Sequence, residues 1–279
     1  LFSSILALAM GVTASVAQIP GMMSMPSAQP LEGTSLGANE TIAYDGIALG
    51  NRVKLRGYVD FIYNYKDDAT GDDARFTTAG DVDFLFDFSP VTGEAHLALN
   101  PNPEPGEDEV TLEQAFGRYS FNQDFNISFG RQLTALGFDA DEAPGLYAVT
   151  PAYYGLGSAT RYDYVDGLRA NFNNGQFGLS FGIHDDYFGP ADHFNDNIAI
   201  DLAASVMIVP GLEARLGYAH QDMDSDDISR FNTWIAYNPG DLTLALEFDV
   251  FNIQDDDLWD IMFLANYQFV DWFGATFRY

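Results

Sequence analysis

From about Val53 to the end of the chain, apolar and polar residues alternate with a period of two, in segments of roughly eight to thirteen residues separated by Asn, Asp, Gly and Pro. In the stretch LRGYVDFIYNY, Leu55, Gly57, Val59, Phe61, Tyr63 and Tyr65 share one face, while Arg56, Tyr58, Asp60 and Asn64 share the other. Val82/Phe84/Phe86/Phe88, Phe177/Leu179/Phe181/Ile183 and Ile198/Ile200/Leu202/Ala204/Val206/Ile208 form faces of the same kind. So do Leu242/Leu244/Leu246/Phe248/Val250, Trp259/Ile261/Phe263/Ala265/Tyr267/Phe269 and Phe273/Ala275/Phe277/Tyr279. This predicts about thirteen strands. Helical periodicity is scarce, and after the first residues there is no apolar run long enough for a helical membrane span.

A soluble sandwich and a transmembrane barrel share this alternation, and three features favour the barrel. The face opposite the apolar one carries mid-strand charges, such as Asp81/Asp83/Asp87, Glu247/Asp249 and Arg215, which suits a wet lumen. Aromatic residues gather near strand ends, as interfacial girdles require. Connections alternate between short ones (near SPVTG, NQD, NNG, PG, NPG and VD) and longer ones. The longer set is KDDATGDD, NPNPEPGEDE, the stretch from about Leu133 to Thr160, DYFGPADHFND, QDMDSDD and NIQDDD. The fold class predicted is an all-β antiparallel transmembrane β-barrel of about 12–16 strands. An odd strand count predicts either a further strand or a chain that stops short of its whole barrel, while Tyr279, in phase with Phe277 and Ala275, is suited to be a terminal aromatic.

The opening strand LRGYVDFIYNY, then EQAFGRYSF, then ISFGRQLTALGFD with a Tyr/Pro-rich loop and YDYVDGLRANF, together resemble the OmpL-like β-barrel porin family of Gram-negative outer membranes. A Gly-Arg strand end running into Thr134, Gly137 and Asp139 carries much of that resemblance, which covers about residues 52–279. It implies an outer-membrane channel for small solutes, embedded in outer-membrane lipid, with no cofactor; a homotrimer is compatible with it. The chain is short for such a porin.

The first seventeen residues, LFSSILALAMGVTASVA, read as a signal peptide lacking its start, with Ser15 and Ala17 at the cleavage positions before Gln18. Residues 18–51 then form a periplasmic segment and 52–279 the barrel.

Composition sharpens this picture. Forty-one Asp and Glu against twelve Lys and Arg give a formal net charge of -29, which would repel a phosphate backbone and excludes nucleic acid as a partner. The absence of cysteine removes disulfides, thiolate metal sites and Cys nucleophiles. Strand phase and loop position put roughly half of the acids in the outer loops and leave the lumen near balance, which predicts only a mild cation preference.

Phase assigns the pore-lining candidates Arg56, Asp60, Asp81, Asp83, Asp87, Arg118, Arg161, Arg169, Arg215, Glu247, Asp249 and Arg278. Opposite charges across a narrow lumen set up a transverse field, or else pair as cross-strand salt bridges in a plugged barrel. Asp166 falls out of phase, on the apolar face with Leu168, Ala170 and Phe172. The third outer loop is the longest and carries Phe138, Leu146, Tyr147, Val149, Tyr153 and Tyr154, which are costly to leave together in water. Folded into the barrel mouth it would form a constriction, with candidates Asp139, Asp141, Glu142, Tyr147, Tyr153 and Tyr154, of which the acids would face solute.

Chemistry beyond transport finds little support. His96, His184, His193 and His220 show no metal-site spacing, and Ser180 and His184, four apart on a strand, lie about 13 Å from each other. In DMDSDD, Asp227 stands where an EF-hand needs Gly and Thr233 where it needs Glu. Divalent cations at the acidic outer loops remain an expectation, as does a closed structural or adhesive barrel as the alternative function.

Overall fold

A computed structural model describes residues 47–68, 71–101, 103, 108–139, 146–148, 164–188, 198–222, 227–253, 256–270 and 273–279. Residues 1–17, read from sequence as a leader, and most of 18–51, read as a periplasmic segment, lie outside the described residues. Fourteen strands form one sheet in which each strand pairs antiparallel with its neighbours in sequence. They are β1 (Ile47–Ala48), β2 (Val53–Asp68), β3 (Gly71–Phe88), β4 (Val91–Leu99), β5 (Val110–Ser120), β6 (Phe125–Leu133) and β7 (Tyr164–Asn173). Next come β8 (Phe177–His184), β9 (Ala199–Val209), β10 (Leu212–Gln221), β11 (Ile228–Tyr237), β12 (Leu242–Ile253), β13 (Asp256–Val270) and β14 (Phe273–Arg278). Apart from the two-residue β1, this is the number of strands the alternation predicts.

Burial along the strands is inverted relative to a soluble sheet. On β10, Glu213, Arg215 and Gln221 are buried while Leu216 and Tyr218 are exposed; on β12, Glu247 and Asp249 are 1% exposed and Leu246 is 45% exposed. Val59, Phe61, Trp259 and Phe277 lie open on the outer face. An apolar surface this extensive is not compatible with water, whereas a bilayer solvates it. A sandwich would bury this face, so the sheet crosses a membrane with its polar face concave.

Aromatic rings mark the interfaces. At the short-turn ends Tyr119–Phe121, Phe121–Phe125, Tyr267–Phe269 and Phe269–Phe273 stand 4.8, 5.2, 4.8 and 5.4 Å apart. At the long-loop end Phe61 and Phe76 stack at 5.2 Å. The short turns are capped locally: Asn122 Oδ1 accepts from the N–H groups of Asp124 and Phe125, and Asn174 Oδ1 from those of Gln176 and Phe177. Gly211, with φ of +81°, takes the left-handed position in the turn between β9 and β10.

Two connections read as loops are mostly strand. KDDATGDD belongs to a long hairpin in which Lys66, Asp67 and Asp68 pair with Asp73, Asp72 and Gly71. NIQDDD is likewise taken up by β12 and β13, where Asn252 and Ile253 pair with Asp257 and Asp256. Polar composition marked these segments as loops, but above the bilayer a strand no longer needs an apolar face, so alternation stops before the ladder does.

Candidate functional site in the barrel lumen

The residues following β6 cross the concave face. Thr134 to Asp139 are all buried, and each step of their path is held by the wall. Arg169 Nη1 on β7 donates to the carbonyl of Leu133 at 2.8 Å, and Arg215 Nη2 on β10 donates to that of Ala135. The N–H of Gly137 donates to Asn232 Oδ1 on β11 at 3.3 Å, and that of Phe138 to Glu247 Oε1 on β12 at 3.0 Å. Arg278 Nη1 on β14 donates to Asp139 Oδ2 at 2.8 Å. Irregular backbone at membrane depth needs such partners, because no water from the bilayer can satisfy it.

Apolar contacts fix the same path. Leu136 packs among Val165, Tyr187, Phe188, Ala199 and Ala219. Phe138 packs with Trp234, Ala236, Ala245, Met262 and Leu264, and Tyr147 stacks on it at 6.0 Å. Gly217 on β10 makes room for this, since a Cβ there would overlap Leu136. The fourth long connection follows: the N–H groups of Tyr187 and Phe188 donate to Gln221 Oε1 at 2.8 and 2.7 Å. Burial pushes the Tyr187 hydroxyl to ionise well above its usual range, and burial raises that of Tyr147 as well.

Two polar networks line the wall. On β7 to β12, Asp201 Oδ2 accepts from Arg169 Nη2 at 2.8 Å and lies 3.0 Å from His184 Nε2, while Asp249 Oδ1 accepts from Arg230 Nε at 2.6 Å and Asn232 Nδ2 at 2.9 Å. On β2 to β5, Arg56 Nε donates to Asp83 Oδ2, and Glu94 Oε2 lies 3.7 Å from Arg56 Nη2 and 3.1 Å from His96 Nε2. Ser180 and His184 do not form a catalytic pair: Ser180 Oγ donates to Asn171 Oδ1 at 3.1 Å, and His184 serves Asp201.

Among the pore-lining candidates, Arg56, Asp81, Asp83, Arg169, Arg215, Glu247 and Asp249 are buried on the concave face, and Asp60, Arg118 and Arg278 are half-buried there. Asp87 is exposed at the end of β3, where its Oδ1 accepts from Ser89 N–H and Oγ as a turn cap. Arg161, Asp141, Glu142, Tyr153 and Tyr154 lie outside the described residues. Asp139 differs from its expectation, because it is fully buried against Arg278 and does not face open solute space. Phase alone could not show this, since the partner comes from the far end of the chain.

Asp166 is explained by its neighbour. It pairs directly across the ladder with Arg131, and Arg131 Nη1 donates to Asp166 Oδ2 at 2.8 Å on the outer face. Sequence reading also missed Glu113, Asn232 and Gln221. Glu113 is the extra residue of a bulge, because His96 pairs with Gln114 but Leu97 with Leu112. Its trace in the sequence is the change of phase between Leu112 and Ala115.

The architecture has known counterparts. OmpF of Salmonella typhi, solved in complex with daunomycin, superposes with a TM-score of 0.63 at 13% identity, over 79% of this chain and 75% of that one. OmpT of Vibrio cholerae superposes with a TM-score of 0.50 at 12% identity, over 80% and 74%. The fold is that of the outer-membrane porins. No protein-family model matches the chain, and no curated protein matches it by sequence.

Proposed function

We propose that the protein is a Gram-negative outer-membrane porin of the OmpL-like kind, through which small hydrophilic solutes diffuse passively, with Thr134–Asp139 narrowing the lumen. The crossing of the concave face by this segment carries the reading. A barrel built only as a wall has no need to direct four strands' worth of Arg, Asn and Glu side chains at the backbone of one loop. The half-buried inward residues Asp60, Arg118, Asp260, Asn266, Thr276 and Arg278 mark the part of the concave face that solvent still reaches. They are mostly on β2, β13 and β14, so the solute path runs on that side of the crossing segment. Acids outnumber bases on the concave face, which supports a mild preference for cations that weakens as salt screens it.

The acidic rim supports divalent binding at one place among the described residues. Asp222 and Asp227 flank the β10–β11 connection, and with His220 they bring ligand atoms within 4.8 Å of one another.

A second reading, a closed structural or adhesive barrel, is favoured by the way the two apolar clusters and Tyr187 and Phe188 fill the β7–β12 side. Conductance in planar bilayers separates the two: stepwise openings support the channel, and a folded but silent barrel supports the rival.

A further inference from the structure

We propose that Arg118 is a subsite for the carboxylate group of a small hydrophilic solute, on the concave face near the short-turn end of β5. The subsite rests on the reading of the barrel as a solute channel and adds the chemistry of one stop along its path.

Elsewhere on the wall the arginines are held by oxygen atoms of the chain. Arg56 donates to Asp83, Arg169 to Asp201 and the Leu133 carbonyl, and Arg215 to the Ala135 carbonyl. Arg230 donates to Asp249 and Arg278 to Asp139. Arg118 has no such partner among the described residues, and its Nε is buried without a hydrogen bond. Its contact is the ring of Phe116, whose centroid lies 5.5 Å from Cζ. A ring face attracts a guanidinium but leaves its N–H donors and its charge unmatched.

The ladder around Arg118 supplies hydroxyls in place of acids. Thr92 on β4 and Ser128 on β6 are its direct cross-strand partners. Glu94, two residues along β4 from Thr92, is engaged by His96 Nε2 at 3.1 Å and Arg56 Nη2 at 3.7 Å. Asp87, beyond Thr92 in the same row, caps its own turn by accepting from Ser89. Arg118 and Thr92 are both half-buried, so solvent in the lumen reaches them.

A guanidinium fork of this kind matches a planar carboxylate, which takes two parallel N–H bonds. A phosphate dianion fits less well, because it brings more negative charge into a lumen where acids already outnumber bases. Ser128 precedes Leu133 by five residues on β6, so Arg118 lies roughly 17 Å along the wall from the start of the crossing segment. The subsite is therefore separate from the constriction. It sorts solutes by whether they carry a carboxylate, while the acids of the lumen set the sign of the overall ion preference.

The test is line broadening of isotope-labelled acetate by the full chain folded in detergent, with unlabelled acetate or chloride then added in excess. Broadening that acetate reverses and chloride does not is expected. It falls about fivefold in Arg118→Gln and less in Arg118→Lys, which keeps the charge but not the fork. Unfolding midpoints equal to that of the wild type are expected for both variants and separate a lost subsite from a lost fold. Arg131→Gln, on the outer face, leaves the broadening unchanged. In planar bilayers the acetate-to-chloride permeability ratio falls in Arg118→Gln. Broadening that survives Arg118→Gln, or that chloride reverses as well as acetate does, would overturn the proposal. A barrel silent in planar bilayers would overturn the channel and leave the broadening to decide for the subsite.

Discussion

Arg278, the last residue of β14, donates from Nη1 to Oδ2 of Asp139 at 2.8 Å, joining residues 139 apart in the chain across the concave face. Asp139 is fully buried and Arg278 half-buried, which makes the pair the far anchor of the crossing segment.

Removing Arg278 takes a cation from beside a buried carboxylate. Arg278→Ala is expected to lower stability by about 3 kcal/mol, and Asp139→Asn in the same chain recovers much of the loss because the buried negative charge is gone. Urea unfolding of the refolded barrel checks both, and equal losses in the single and double variants would contradict the anchor.

Gly217 and Leu136 make the second contact that holds the segment. Gly217→Val is expected to push Leu136 off the wall, costing about 1–3 kcal/mol as overpacking and raising single-channel conductance. Leu136→Gly in the Gly217→Val background restores the stability lost to overlap but not the narrow pore, so the two readouts separate.

The strand pattern made much of this arrangement legible. Alternation alone puts Asp81, Asp83, Arg169, Arg215, Glu247 and Asp249 on the concave face, and the apolar side chains of residues 134–154 point to an inward fold. What the chain cannot display locally is register. Asp166 is out of phase until β6 and β7 are aligned and Arg131 comes opposite it. Arg169 and Arg215 read as free lumen charges until the carbonyls of Leu133 and Ala135, distant in sequence, arrive beside them. Glu113 is hidden because a bulge shifts phase by one residue without changing composition.

The Arg131–Asp166 pair predicts a small effect. Both side chains are substantially exposed, 34% and 49%, so the pair is worth less than about 1 kcal/mol in a double-mutant cycle. A coupling of several kcal/mol would place the pair deeper in the hydrocarbon than the long-loop rim.

Asp186, in the connection after β8, carries a pH dependence. Burial, and then the charge of Asp166, raise its carboxyl above the usual 3.8, with Asp185 acting in the same direction and Arg131 and His184 against it. The folded loop therefore binds a proton that the unfolded loop releases, so its stability is present below 3.8 and is lost as pH rises through the raised value. Protease cleavage of this connection is expected to slow as pH falls through that window. Asp186→Asn removes the dependence, and an unchanged pH profile in that variant would contradict the assignment.

An open channel narrowed by Thr134–Asp139 has a direct signature in single-channel recording in planar bilayers. The wild-type barrel is predicted to open in discrete, weakly cation-selective steps, and the Leu136→Gly/Phe138→Gly variant, which loses both apolar anchors, in larger ones. Silence from a folded wild-type barrel, or identical steps from the two proteins, would contradict it.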